Sequence, residues 1–171
     1  DHDINIDHDR VYVAGMSNGG FMTQRLICDL PETFAAAAVV SAPGFNGRDD
    51  VCAGKSATPL LFMHGTADTD IEWAGGRYVS SVPDNLAFWA AHNGCDSVYD
   101  LSHLNAETPG GSIEVYEYPG CEAALRFYAI PGGGHNWPGL TGRMVADFTG
   151  EVNMDLDASA TIWAFFTQHH R

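Results

Sequence analysis

Three side chains of this chain, a hydroxyl at Ser17, a carboxylate at Asp68 and an imidazole at His135, stand in sequence surroundings that would expose each of them. A serine hydroxyl is a weak nucleophile until a positioned base takes its proton, and a carboxylate that orients the base completes the set. The chemistry open to such a trio is acyl transfer through a covalent serine intermediate. Ser17 lies in Val11-Tyr12-Val13-Ala14-Gly15-Met16-Ser17-Asn18-Gly19-Gly20, where a β-branched and aromatic run enters a Gly-x-Ser-x-Gly pentapeptide and a helix-compatible segment follows. That order is a strand, a strained turn and a helix, with glycines where neighbouring backbone must pass close. The turn would present the hydroxyl and aim the Asn18 N–H at a carbonyl oxygen. The plainer account of the same residues is a tight turn that packs a helix on a sheet.

Asp68 ends the turn after the apolar run Thr58-Pro59-Leu60-Leu61-Phe62-Met63-His64-Gly65. His135 follows Leu125-Arg126-Phe127-Tyr128-Ala129-Ile130 and the break Pro131-Gly132-Gly133-Gly134. Each candidate thus falls just past the C-terminal end of an expected strand, where open α/β sheets place their sites. The order serine, acid, histidine is that of α/β-hydrolases and not of chymotrypsin or subtilisin. Asp70 and Glu72 compete for the acid role, and Asp68 is preferred because it lies nearest the strand end. The alternation Asp68, Asp70, Glu72 lacks the spacing of a calcium loop, and no metal or cofactor is expected. Of the remaining histidines, His2, His8, His169 and His170 lie in polar termini, His92 and His103 carry no motif, and His64 reads as structural. The short Asp-His-Asp runs at residues 1–3 and 7–9 read as a solvated acidic terminus. Met16, Trp73 and Trp137 are candidates to line an acyl or aryl pocket, or else ordinary core and rim residues.

Strands are expected at about residues 10–14, 36–41, 58–64, 112–118 and 124–130, and helices at about 18–30, 81–93 and 156–169. Alternation of strand and helix implies parallel pairing, while 112–118 and 124–130, joined through Gly120, read as a hairpin. The expected fold is therefore α/β, a mostly parallel mixed sheet with flanking helices, in one domain spanning residues 1–171. Segment 43–57 reads as a loop, and 65–77 and 131–150 as glycine-rich loops beside the proposed site.

The net charge of −14, from 22 acidic against 8 basic side chains, repels nucleic acid and anionic lipid. No window holds a run of apolar residues long enough to span a bilayer. Cys28, Cys52, Cys95 and Cys121 include no C-x-x-C pair, which argues against zinc and redox motifs. They are either buried thiols or two bridges in an exported protein, in which case three pairings are possible.

Arg10 to Gly20, His64-Gly65-Thr66-Ala67-Asp68, Phe88-Trp89-Ala90-Ala91-His92-Asn93-Gly94-Cys95 and Gly132-Gly133-Gly134-His135-Asn136-Trp137-Pro138-Gly139 resemble the secreted polyhydroxybutyrate depolymerase and feruloyl-esterase-like family of α/β-hydrolases. The resemblance extends to Asp157-Ala158-Ser159 and Ile162-Trp163-Ala164-Phe165-Phe166. It implies the triad Ser17, Asp68 and His135, a Cys95–Cys121 bridge with Cys28–Cys52 as the second, and a secreted or periplasmic location. It also implies a cofactor-free serine esterase acting on short or aromatic acyl esters, or alternatively a polyhydroxyalkanoate depolymerase. The family carries strands and an oxyanion loop upstream of the elbow, whereas here the elbow stands at residue 17. The chain is therefore expected to be a C-terminal portion lacking the usual N-terminal strands. Residues 11–14 would then form a sheet edge, favouring a homodimer or association with the missing upstream strands. An idle, non-catalytic α/β module with an incomplete oxyanion hole is the alternative of a different class.

Overall fold

The computed structural model describes residues 4–47, 49–104, 111–140 and 150–171. Six strands form one sheet: β1 (Tyr12–Met16), β2 (Ala36–Val40), β3 (Leu60–Gly65), β4 (Asp100–Leu104), β5 (Ile113–Tyr118) and β6 (Leu125–Ile130). Four described helices accompany it, α1 (Asn18–Asp29), α2 (Asp49–Cys52), α3 (Val82–His92) and α4 (Ala158–Phe166). The strand order is β1-β2-β3-β6-β5-β4. β1, β2, β3 and β6 run parallel, while β5 and β4 continue antiparallel beyond β6. All four parallel strands therefore end on one edge of the sheet.

β2 and β3 are buried along their whole length, which is why Ala36-Ala37-Ala38-Val39-Val40 and Leu60-Leu61-Phe62-Met63 read as unbroken apolar runs. Side-chain alternation divides them between two cores. Ala37, Val39, Leu60, Phe62 and Phe127 pack beneath α1 and α3 with Ile27, Leu86 and Trp89. Ala38, Val40, Leu61, Met63 and Tyr128 pack against Ile162, Phe165 and Phe166 of α4. Two disulfides staple the first face, Cys28–Cys52 from α1 to α2 and Cys95–Cys121 from the end of α3 to the β5–β6 turn. Both have the expected pairing, and the described chain holds no free cysteine. Among the described residues no helix is long and apolar enough to cross a membrane.

Several bounds differ from expectation for local reasons. β1 starts at Tyr12, because the Asp7 carboxylate accepts from the Asp9 N–H (3.1 Å) and winds His8–Arg10 into a 3-10 turn. It then runs on to Met16, paired with Val40. Within 43–57, expected as loop, Asp49–Cys52 forms a single helical turn and Phe45 bridges Val79. β4 was not anticipated, since it is exposed throughout and carries no burial pattern. β1 occupies the sheet edge, as expected.

Candidate active site

Ser17 is the single residue between β1 and α1, and its backbone takes φ 53° and ψ −122°. A positive φ on a residue with a Cβ costs on the order of 1–3 kcal/mol and persists only where its surroundings enforce it. Here the Ser17 N–H donates to the Val40 carbonyl (2.9 Å), and the Ser17 carbonyl accepts the Phe21 N–H (3.0 Å). The glycines around it have unequal duties. A Cβ on Gly15 would lie 2.3 Å from the Gly19 carbonyl group, and one on Gly20 would lie 2.7 Å from Ala42 Cβ. A Cβ on Gly19 meets nothing within 4 Å. The close approach is thus enforced at Gly15 and Gly20, although the second glycine of the pentapeptide is Gly19. Asn18 opens α1, so its N–H belongs to the first turn, where amides lack intrahelical partners and the helix dipole is positive.

Asp68 and His135 are carried on two loops stitched to each other. The Thr66 N–H donates to Ile130 O (2.9 Å), the Ala67 N–H to Gly133 O (3.0 Å) and the Gly132 N–H to Thr66 Oγ1 (2.9 Å). Contact is so close that a Cβ on Gly65 would sit 2.1 Å from the Gly133 carbonyl oxygen. Within the acid turn, Asp68 Oδ1 accepts the N–H groups of Asp70 (3.0 Å) and Ile71 (2.8 Å). Its Oδ2 accepts the Nδ1–H of His135 at 2.8 Å. The Asp68 carboxylate is fully buried and the His135 ring nearly so.

Burial raises the Asp68 carboxyl, but the bonds from His135 and Ile71 and the nearby imidazoles outweigh it, and the net shift is downward. His135 is raised above its ordinary value of 6.5, chiefly by its hydrogen bond to Asp68 and against the opposing effect of burial; the charges of Asp68 and Asp70 add to the rise. With Nδ1 donating, the Nε2 lone pair of neutral His135 is free to accept a proton. Ser17, Asp68 and His135 all follow strands that end on the same sheet edge, with β2 between the strand of the serine and that of the acid.

His64, which the sequence marked as structural, lies directly beside the acid. Its Nε2 is 3.7 Å from Asp68 Oδ2 and its Nε2–H donates to Ile71 O at 2.9 Å. No motif in the sequence marked this contact, because it forms only once the turn folds Asp68 back over the strand end. Met16 and Trp137 pack on the α4 face, where Trp137 Nε1–H donates to Ser159 Oγ (3.1 Å). Trp73 packs on the other face, against Phe127 and the His64 ring. Among the described residues no group of three or more His, Cys, Asp or Glu could hold a metal ion.

No protein-family profile matches the chain. Feruloyl esterase B of Piromyces equi is 30% identical over 146 residues, 76% of this chain and 25% of that protein. A probable feruloyl esterase C of Aspergillus terreus is 28% identical over 165 residues, 96% of this chain and 52% of the relative. The chain has the fold of α/β-hydrolases and is similar in sequence to feruloyl esterases. It spans about a quarter to a half of the length of these curated relatives. In fold it is similar to a single-substitution variant of Arabidopsis thaliana SOBER1, with a TM-score of 0.54 at 17% identity over 95% of this chain and 55% of that one. The feruloyl-esterase side of the expected resemblance is the side these relatives bear out.

Proposed function

We propose that this feruloyl-esterase-like chain carries the triad of a serine carboxylic ester hydrolase, with Ser17 as nucleophile, His135 as general base then acid, and Asp68 as the group that orients the imidazole. The observation that carries the reading is the buried Nδ1–H bond from His135 to Asp68 (2.8 Å), on the sheet edge where Ser17 is held at positive φ. His135 Nε2 takes the Ser17 proton as Oγ attacks the ester carbonyl, and Asp68 stabilises the resulting imidazolium. The Asn18 N–H, at the positive end of α1, meets the oxyanion. Nε2–H then protonates the departing alcohol, and water repeats the sequence on the acyl-enzyme. Short or aromatic acyl esters are the proposed substrates, following the names of the relatives. Two disulfides suit an oxidising compartment, and we place the protein outside the cytosol.

A second oxyanion donor is proposed to arrive with a strand that pairs along the open side of β1, from further chain or from another copy. Sedimentation of this chain at micromolar concentration tests that part: a fully active monomer removes it. Hydrolysis of p-nitrophenyl acetate, and covalent labelling of Ser17 by a serine-directed phosphonate, test the triad. Activity that survives Ser17→Ala, or a label on another residue, overturns the reading.

A further inference from the structure

His64 is wholly buried at the end of β3, with its ring between the acid turn and Trp73 (ring centroids 6.0 Å apart). A buried imidazole is held uncharged unless it is paired, and burial does lower the ionisation of His64, against partial opposition from the Ile71 carbonyl and the Asp68 charge. Its neutral ring can donate from one nitrogen only. Nε2 lies 2.9 Å from the Ile71 carbonyl, which can only accept, so the proton is on Nε2. Ile71 is also the residue whose N–H holds Asp68 Oδ1 (2.8 Å). His64 therefore grips the carbonyl side of the peptide segment that grips the acid, and its Nε2–H stands 3.7 Å from the oxygen that receives His135.

The other nitrogen carries a second observation. His64 Nδ1 and Ser41 Oγ are both buried without a hydrogen-bond partner among the described residues. Both residues line one small cavity of about 10 Å³, with Gly65, Gly134 and Asn153 among its walls. That is close to the volume one water requires, and two unpaired polar atoms are what such a water bridges. A water that donates to Nδ1 fixes the Nε2–H tautomer, because the bond at one ring nitrogen decides the protonation of the other. Ser41 follows the last residue of β2 and, with Ser17, is one of two non-glycine residues at positive φ (51° and 53°) among those described. Strain of this kind clusters at functional sites.

We infer that His64 is a positioning residue: a buried imidazole, held as its Nε2–H tautomer by one water shared with Ser41, that locks the Ile71 carbonyl and so holds the Asp68 carboxylate in register with His135. This rests on the triad proposed above, but its first test does not require turnover. In a spectrum of ¹⁵N-histidine protein, His64 should show the Nε2–H tautomer unchanged from about pH 5 to about pH 8, while His135 titrates. A titrating His64, or an Nδ1–H tautomer, overturns the inference whether or not the protein is an esterase.

The second test compares His64→Phe, which keeps a ring without a donor, with His64→Gln, whose amide can still donate to Ile71 O. The Phe variant should lose about 10- to 100-fold in kcat towards p-nitrophenyl acetate with KM little changed, since small misplacements of a catalytic group cost about that much. The His135 titration should move down towards its ordinary value, and the Gln variant should recover most of both losses. A Phe variant with unchanged kcat and unchanged His135 titration refutes the role. If the Phe variant does not fold, the Gln variant and the wild-type spectrum still decide it. Wild-type protein that fails to hydrolyse the ester but holds His64 as described would remove the esterase reading alone.

Discussion

Replacing Asp68 with Asn is nearly isosteric, and the hydrogen bonds around the side chain dictate what it does. The Oδ1 position faces two backbone donors, Asp70 N–H and Ile71 N–H. An amide NH2 group there would face donors with donors, so the Asn carbonyl oxygen must occupy that place. The NH2 is then forced into the Oδ2 position, 2.8 Å from His135 Nδ1. Nδ1 must become an acceptor, its proton moves to Nε2, and the base now presents N–H to Ser17 where it needs a lone pair. The substitution also removes the negative charge that stabilises the imidazolium. The same exchange in a serine protease triad costs about 10⁴ in kcat, or about 5.4 kcal/mol of barrier. Initial rates on p-nitrophenyl acetate should fall by that order, with KM nearly unchanged, and phosphonate labelling of Ser17 should slow in parallel. The melting temperature should fall by only a few degrees, since the two backbone bonds survive. A variant with activity within about tenfold of wild type would show that Asp68 does not orient His135 for catalysis.

In the proposed triad His135 must be neutral to act, and it is raised above 6.5, so kcat/KM should climb with pH through a midpoint above 6.5. Stability should run the other way. The raised His135 contributes fully below about 6.5 and its share fades as pH climbs through its folded value, while the lowered Asp68 contributes above 3.8 and fades as pH falls through its own. Urea titrations should therefore show the pair contributing most between about 3.8 and 6.5, and a stability maximum that coincides with the activity maximum would contradict this. Reduction of Cys28–Cys52 and Cys95–Cys121, which close spans of 24 and 26 residues, should each cost about 3.5 kcal/mol by loop entropy; an unchanged urea midpoint in reductant counts against it. Gly65→Ala, with its Cβ driven into the Gly133 carbonyl, should lower the melting temperature and cost at least about 100-fold in activity. Gly19→Ala, in open space at the start of α1, should leave both nearly unchanged.

β2, β3 and β6 were legible because they are covered on both faces and read as largely apolar runs, and the elbow and both loops because glycine marks their turns. β4 was not, since Asp100-Leu101-Ser102-His103-Leu104 is held by backbone pairing to β5 and buries nothing. The start of β1 was misplaced by two residues, as the Asp7 cap that bends His8–Arg10 is a side-chain bond that strand propensity ignores. At the site, motif spacing pointed to Ser17, Asp68 and His135 but not to His64. Its contact with Asp68 arises only when the turn folds the acid back over the strand end.

The placement of β1 also sets an order in which the molecule should fail. Asp68 and His135 follow neighbouring interior strands and are tied loop to loop, while Ser17 follows β1, the outermost of the described strands. Residues 166–171 help fasten that strand from outside the sheet: Tyr12 stacks on Phe166 (4.7 Å), its hydroxyl donates to His169 O (2.8 Å), and the Arg171 N–H donates to Asp9 O (3.1 Å). In this chain by itself, opening of residues 166–171 and β1 together should therefore cost less than opening the β2–β3–β6 core, and it would part Ser17 from the proposed base. Amide hydrogens of Tyr12–Met16 should exchange early, and the proposed esterase activity should vanish in mild denaturant while the core remains closed. Trimming the last three residues would weaken the nucleophile's footing from the far end of the sequence.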